Sequence, residues 1–216
     1  MVKQFSPQEH QQTPATILGN GRSRLAIDLD QVHAKTITYG CNAIHRDFIT
    51  DYLIALDAGI VFEIIDANSH LKSRFYTQTQ RRLDDRMKRE PQLHKHINII
   101  PPAIKLSDSG NTAIKLACLN KHKTVYLVGF DYGVMPDKPR EYNNVYRSTP
   151  HYLPTTNNQV NLANGKSWKL RMQETLRANP TVEFKRVVYN CESVHTKQTN
   201  YTEITIEQFK EEINRL

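Results

Sequence analysis

Short apolar runs recur along the chain, each bounded by polar or turn residues. They are Ala15-Thr16-Ile17-Leu18, Lys35-Thr36-Ile37-Thr38-Tyr39, Tyr52-Leu53-Ile54-Ala55-Leu56, Ile97-Asn98-Ile99-Ile100, Thr124-Val125-Tyr126-Leu127-Val128 and Phe184-Lys185-Arg186-Val187-Val188-Tyr189. Runs of this length, apolar on both faces, predict buried strands of a parallel sheet. Between them the spacing turns helical. Ala113, Ile114, Leu116, Ala117 and Leu119 form one face over 110–119. Trp168, Leu170, Met172 and Leu176 do so over 165–179, with Pro180 as a stop, and Ile206, Phe209, Ile213 and Leu216 mark a C-terminal helix over 205–216. Strands alternating with helices predict a Rossmann-like α/β fold, a mostly parallel sheet with helices on both faces, in which ligands collect at the carboxyl ends of strands.

Two segments break the rhythm. Residues 1–14, polar and carrying Pro7 and Pro14, read as a loose arm before one domain over 15–216. Residues 133–164, rich in proline, asparagine and tyrosine, lack periodicity and read as a long lid or acceptor-binding loop. The basic stretch from Lys72 to Arg89 reads as the solvated face of a helix.

Composition narrows the picture. A chain of 216 residues can bury one good core. No apolar run is long enough to cross a bilayer and the first residues lack the apolar core of a signal peptide, so a cytoplasmic protein is expected. Cys41, Cys118 and Cys191, odd in number and widely spaced, suggest reduced thiols rather than a disulfide frame. The net charge of +7 points to an anionic partner such as a nucleotide, an acidic glycan or nucleic acid.

The first run ends in Gly19-Asn20-Gly21-Arg22-Ser23, a glycine turn that lets backbone N–H groups approach a phosphate. It has neither the three spaced glycines of a dinucleotide fingerprint nor the lysine of a P-loop. Three more loops at strand ends carry similar residues: Tyr39-Gly40-Cys41-Asn42, Asp108-Ser109-Gly110-Asn111 and Gly129-Phe130-Asp131-Tyr132-Gly133. Ser109-Gly110 opens a helix, whose free N–H groups attract anions. Asp28-Leu29-Asp30 has the form of a metal-binding DxD pair but follows the first turn, where a helix-capping or solvated pair is expected. His94-Lys95-His96 lacks a third ligand for zinc, and there is no GxSxG elbow.

These loops, in this order, resemble the donor-binding half of the bacterial sialyltransferases that use CMP-activated sugars. More distantly they resemble the 6-hydroxymethylpterin diphosphokinases. The matching stretches are Ile17-Leu18-Gly19-Asn20-Gly21-Arg22-Ser23 with Ile27-Asp28, Tyr39-Gly40-Cys41-Asn42, Asp51-Tyr52-Leu53, Ser109-Gly110, and Val125 to Asp131. The resemblance implies that Asn20 and Asn42 hold the donor phosphate and sugar region, that Ser109 and Gly110 lie near the donor, and that Asp131 edges the nucleoside pocket, with Gly19, Gly21, Ser23 and Tyr132 counted among the nucleotide-binding residues. It further implies a histidine base and tyrosines on the leaving phosphate from the following loop. His151 is then the candidate base, Tyr142 or Tyr146 the phosphate partner, and His195 the reserve base. Histidine titrates near neutrality and suits the deprotonation of an acceptor hydroxyl.

The resulting expectation is a metal-independent, inverting glycosyltransferase taking a nucleotide-sugar donor, with a glycan, another hydroxyl or nucleic acid as acceptor and a homo-oligomer as a possible assembly. No cofactor is expected. One alternative is a pterin-type pyrophosphokinase using ATP and magnesium held by Asp28, Asp57, Asp108 and Asp131. Another is a non-catalytic nucleotide or nucleic-acid binding module that uses the Lys72 to Arg89 stretch.

Overall fold

The computed structural model describes residues 7–104, 107–135, 137–152 and 158–216. Its centre is an eight-stranded, wholly parallel sheet. Strand β1 (Ala15–Leu18) lies in the middle, and β2 (Ile37–Cys41), β3 (Tyr52–Ile54), β4 (Arg74–Thr77) and β5 (Ile97–Ile99) extend from it to one side. On the other side of β1 lies β6 (Thr124–Val128), and a separate antiparallel hairpin, β7 (Val134–Met135) and β8 (Lys138–Tyr142), follows it in sequence. Beyond β6 the sheet continues with β9 (Glu183–Val188) and β10 (Tyr201–Thr205). The order of strands therefore reverses between β1 and β6, and a doubly wound sheet opens its ligand crevice at such a reversal.

Besides four short 3-10 turns, the described residues form seven α-helices: α1 (Pro7–Gln12), α2 (Leu29–Lys35), α3 (Ala58–Asp66), α4 (Arg81–Arg89), α5 (Ser109–Leu119), α6 (Asn158–Ala178) and α7 (Ile206–Arg215). Alternate strand residues feed two cores, as the pleat requires. Leu18, Tyr126 and Val128 face α2, α3, α4 and α7 through Val32, Ile60, Leu83 and Phe209. Ile17, Val125 and Leu127 face α5 and α6 through Ile114, Ala117, Met172 and Leu176. Helices thus cover both faces, as the periodicity predicts.

Several expectations are corrected. Pro7–Gln12 is helical rather than loose, because His10 is buried and bonded to the Tyr52 hydroxyl at 2.8 Å. The Lys72 to Arg89 stretch is not one helix. Phe75 and Thr77 are fully buried in β4, and only from Arg81 does the chain coil, so its cations are divided between two elements. Arg74 lies over the Tyr52 ring, Arg82 and Arg86 over Phe62, and Arg86 pairs with Asp66 and Glu90.

The 133–164 segment is not structureless either: it contains the β7–β8 hairpin and the start of α6. Gly165, read as a helix start, lies inside α6 at a close approach, where a Cβ would stand 3.0 Å from the Tyr132 carbonyl and 3.1 Å from the Tyr142 hydroxyl. Asp28 caps α2, its side chain accepting from Gln31 N–H at 3.1 Å, as one of its two expected readings holds. Among the described residues no helix is long and apolar enough to cross a membrane.

Candidate functional site

The crevice between β1 and β6 is closed at its base by glycines. Gly19 N–H donates to the Val128 carbonyl and Gly21 N–H to the Gly129 carbonyl, both at 2.8 Å. A Cβ on Gly19 would lie 2.5 Å from the Gly129 carbonyl oxygen, and Gly129 itself has φ +74°, so side chains are excluded here by space and by backbone. Above this floor is a cavity of about 240 Å³. Gly19, Asn20 and Gly21 line it from β1, Cys41 and Asn42 from β2, Asp57 and Ile60 from α3, Asp108, Ser109 and Gly110 from α5, and 129–132 from the end of β6. Its roof is the segment read above as a lid, and called so below, with Tyr142, Asn143, Asn144, His151 and Tyr152, and Asn164 and Trp168 come from α6.

Four loops separated in sequence therefore converge on one cavity. Ser109 Oγ–H donates to Asn42 Oδ1 at 2.7 Å while its oxygen accepts from Leu56 N–H at 3.3 Å, tying the ends of β2, β3 and α5 together. Asn20 Nδ2 donates to the Tyr152 hydroxyl at 2.8 Å, and the Asn20 carbonyl accepts from Val145 N–H, fastening the lid to the glycine turn. Asn143 Oδ1 accepts from Arg22 N–H at 2.9 Å from the same side. Asn42, Tyr132 and His151 all have positive φ, of 54°, 54° and 66°. Backbone strain of this kind gathers at ligand sites, where surrounding contacts hold it in place.

Not every candidate reaches the cavity. Ser23 is buried behind its wall, where its N–H and Oγ–H donate to the Asp131 carboxylate at 2.9 and 2.6 Å. Burial pushes the Asp131 carboxyl up, and the two Ser23 bonds act in the opposite direction. Tyr146 is not among the lining residues. Its hydroxyl accepts from Arg24 Nη2 and donates to Asp47 Oδ2, each at 2.6 Å, so it anchors the lid and is not open to a phosphate. Tyr142 does line the cavity, buried against the Trp168 ring, and desolvation pushes its phenol well above the ordinary value, so it stays a hydrogen-bond donor. His195 sits on a separate surface depression with Lys169, Gln173 and Glu192, away from the cavity.

His151 is the single histidine among the described lining residues. Its ring rests on Gly59, where a Cβ would overlap Nδ1, and its Nε2 lies 3.8 Å from Glu63 Oε2. For α3 the sequence carries a signal: Asp57 followed by Ile60, Val61, Ile64 and Ile65 is an N-cap followed by helical spacing. Through α3 the structure brings Asp57, named above only as a magnesium ligand, and adds Ile60, Gly59 and Glu63 to the site. Nothing local marks Arg46, whose partners lie on α3 and on the lid.

No Lys or Arg is among the described lining residues, whereas Asp57, Asp108 and Asp131 are. The aspartates named for magnesium do not form one donor set. Asp28 caps α2, both Asp131 oxygens accept from Ser23, and Asp108 accepts from Asn111 N–H and Nδ2. Among the described residues no three His, Cys, Asp or Glu side chains converge as a metal site requires.

No protein-family model matches this chain, and no curated protein matches it. Solved structures similar to it include the sialyltransferase CstII from Campylobacter jejuni in complex with a substrate analogue, cytidine-5'-monophosphate. The identity is 12%, with a TM-score of 0.45 over 95% of this chain and 98% of that one. A point mutant of the alpha-2,3/8-sialyltransferase CstII is similar at 13% identity, with a TM-score of 0.45 over 92% of this chain and 99% of that one.

Proposed function

We propose that this chain is an inverting glycosyltransferase that moves a sugar from a CMP-linked donor to an acceptor hydroxyl. The observation that carries the reading is the convergence on one cavity of the glycine turn, Asn42, the α5 amino terminus and a lid histidine. The resemblance of the same loops to CMP-sugar sialyltransferases agrees with it.

The charge of the walls favours a donor with a single phosphoryl group. Three carboxylates, of which Asp108 is paired with Arg171 at 3.7 Å, and no cation among the described lining residues oppose a diphosphate or triphosphate more strongly than a phosphodiester. Neutral donors remain to meet the phosphate: the first N–H groups of α5, the Asn42 amide and the Tyr142 hydroxyl. In the transfer step His151 takes the proton of the acceptor hydroxyl, and the acceptor oxygen bonds to the anomeric carbon. The bond from that carbon to the phosphate oxygen breaks on the opposite face, and its electron pair leaves with CMP. Attack opposite the leaving group inverts the anomeric centre.

The test is a thermal-shift panel of CMP, CDP, UDP, GDP, ADP and ATP with and without magnesium, since a ligand of the native state raises Tm. A rise with CMP that is indifferent to magnesium is expected. His151→Ala should keep that rise and lose most, but not all, of the transfer from a CMP-sugar to an acceptor. No response to CMP overturns the reading, and a response to ATP that needs magnesium replaces it with the pyrophosphokinase alternative.

A further inference from the structure

Lid and base are held by the same pair of side chains, neither of which lines the cavity. Arg46, on the turn after β2, makes a two-pronged contact with Glu63 of α3: Nε to Oε1 and Nη2 to Oε2, each at 2.6 Å. The same guanidinium reaches into the lid, donating from Nη1 to Thr149 Oγ1 at 2.7 Å and from Nη2 to the Pro150 carbonyl at 3.0 Å. These are the two residues before His151. The guanidinium also lies over the Tyr146 ring, 5.6 Å from its centroid.

Glu63 in turn faces two histidines, His45 Nε2 at 3.2 Å and His151 Nε2 at 3.8 Å. Its side chain is 23% exposed and that of Arg46 is 21%, so solvent screens the cluster only in part. The Arg46 bonds hold the Glu63 carboxyl below its ordinary value, keeping it ionised. A planar fork on a carboxylate fixes both orientation and position, which a lysine in place of Arg46 cannot do.

We propose that Glu63, clamped by Arg46, is the positioning residue of the general base: it orients the His151 ring and balances the charge His151 acquires on taking the acceptor proton, while the other donors of Arg46 hold the lid segment that carries it. This inference rests on the proposed transferase reading. It gives a reason for the positive φ of His151 and for Gly59 beneath the ring. The lid must turn sharply to lay the imidazole on α3, and only a residue without Cβ leaves room for it. Neither Arg46 nor Glu63 lines the cavity, so their effect on transfer passes through His151.

The experiment is a kinetic cycle on Glu63 and His151 in the full chain, with CMP thermal shift as an independent readout. Glu63→Gln is expected to lower kcat on the order of 10-fold to 100-fold, the scale of a misplaced base. The donor KM and the CMP shift should stay at wild-type values. Glu63→Asp, which keeps the carboxylate, should recover part of the rate. In a His151→Ala background Glu63→Gln should cost nothing further, because a residue acting through another is silent once that one is gone. Should Glu63→Gln not fold, Arg46→Lys carries the same test, with the same kcat loss and the same silence in His151→Ala. Full activity of Glu63→Gln in an active wild-type background overturns this inference alone. So does an additive loss in His151→Ala, which would mean that Glu63 acts elsewhere. A wild-type chain that binds no CMP and transfers nothing overturns the functional reading and this inference with it.

Discussion

Asn20 and Tyr152 are bonded across the mouth of the cavity, the amide Nδ2 of one donating to the hydroxyl of the other at 2.8 Å. The same hydroxyl accepts from Ala43 N–H at 3.4 Å, so one lid atom ties the turns after β1 and β2 together. With its nitrogen engaged, Asn20 offers the cavity its Oδ1, which is buried and has no partner among the described residues. An amide oxygen accepts hydrogen bonds and cannot donate to a phosphate. Under the proposed transferase reading, Asn20 then suits a sugar hydroxyl or an exocyclic amine of the donor, while Asn42, whose Oδ1 is taken by Ser109, keeps its nitrogen for the phosphate.

Tyr152→Phe removes this tie without emptying the space. Stability should fall by about 1–2 kcal/mol, the cost of leaving buried donors without an acceptor, and the donor KM should rise as the lid loosens. Urea denaturation and steady-state kinetics measure both. A midpoint and a KM equal to those of wild type would show that the lid is held elsewhere.

Gly21→Ala tests the floor. A Cβ at Gly21 would overlap the Asp131 carboxylate, which Ser23 pins from behind with two hydrogen bonds and which therefore cannot turn aside. Overpacking of a held group costs about 1–3 kcal/mol, and here it also moves the cavity wall. The variant is expected to show a lower Tm and no CMP-induced rise. A normal rise in a folded variant would separate the glycine turn from nucleotide binding.

Arg186 is fully buried in β9, and its bonds define the far wall. Nε donates to the Phe130 carbonyl at 2.9 Å and Nη1 to Glu203 at 2.6 Å. Glu203 also accepts from Val194 N–H and the Tyr201 hydroxyl. Arg186→Met leaves a largely buried carboxylate without its cation, which typically costs about 3–5 kcal/mol. Chemical denaturation should register that loss. Arg186→Met paired with Glu203→Gln should recover part of it, because the uncompensated charge is then gone.

Much of this architecture is legible in the residues themselves. All six apolar runs overlap strands of the sheet, and the glycine turn, Asn42, Ser109-Gly110 and 129–132 line one cavity. Strands β4 and β10 escape notice because Arg74-Phe75-Tyr76-Thr77 and Tyr201-Thr202-Glu203-Ile204-Thr205 carry too few apolar residues to stand out as a run inside basic or polar surroundings. Tyr146 and Ser23 are the right residue types in the right order, yet their hydroxyls serve Arg24 and Asp131. Those partners lie 122 and 108 positions away, a pairing that local spacing cannot reveal. The Arg46–Glu63 clamp is hidden for the same reason: its meaning depends on a lid that returns 103 residues later.

Acid sensitivity should originate at the opposite end of the sheet from the cavity. His122 is buried, with Nδ1 bonded to the Thr13 carbonyl at 2.8 Å and Nε2 to the Tyr39 hydroxyl at 2.9 Å. The carbonyl can only accept, so Nδ1 carries the proton and Nε2 accepts from Tyr39, whose oxygen accepts in turn from Asn120 Nδ2 at 2.8 Å. The ring is thus neutral. Burial lowers its pKa from 6.5 to about 4, with the His10 ring at 5.1 Å adding to the effect. The unfolded chain then binds the extra proton first. Stability from this group is complete above pH 6.5, falls as the pH drops from there to about 4, and levels off below. The loss amounts to roughly 3 kcal/mol if the whole shift is expressed. Urea midpoints measured between pH 7.5 and 4 should follow that slope in wild type. His122→Gln, less stable at neutral pH, should show a flatter profile over the same range. An unchanged slope in His122→Gln would assign the acid loss to other groups.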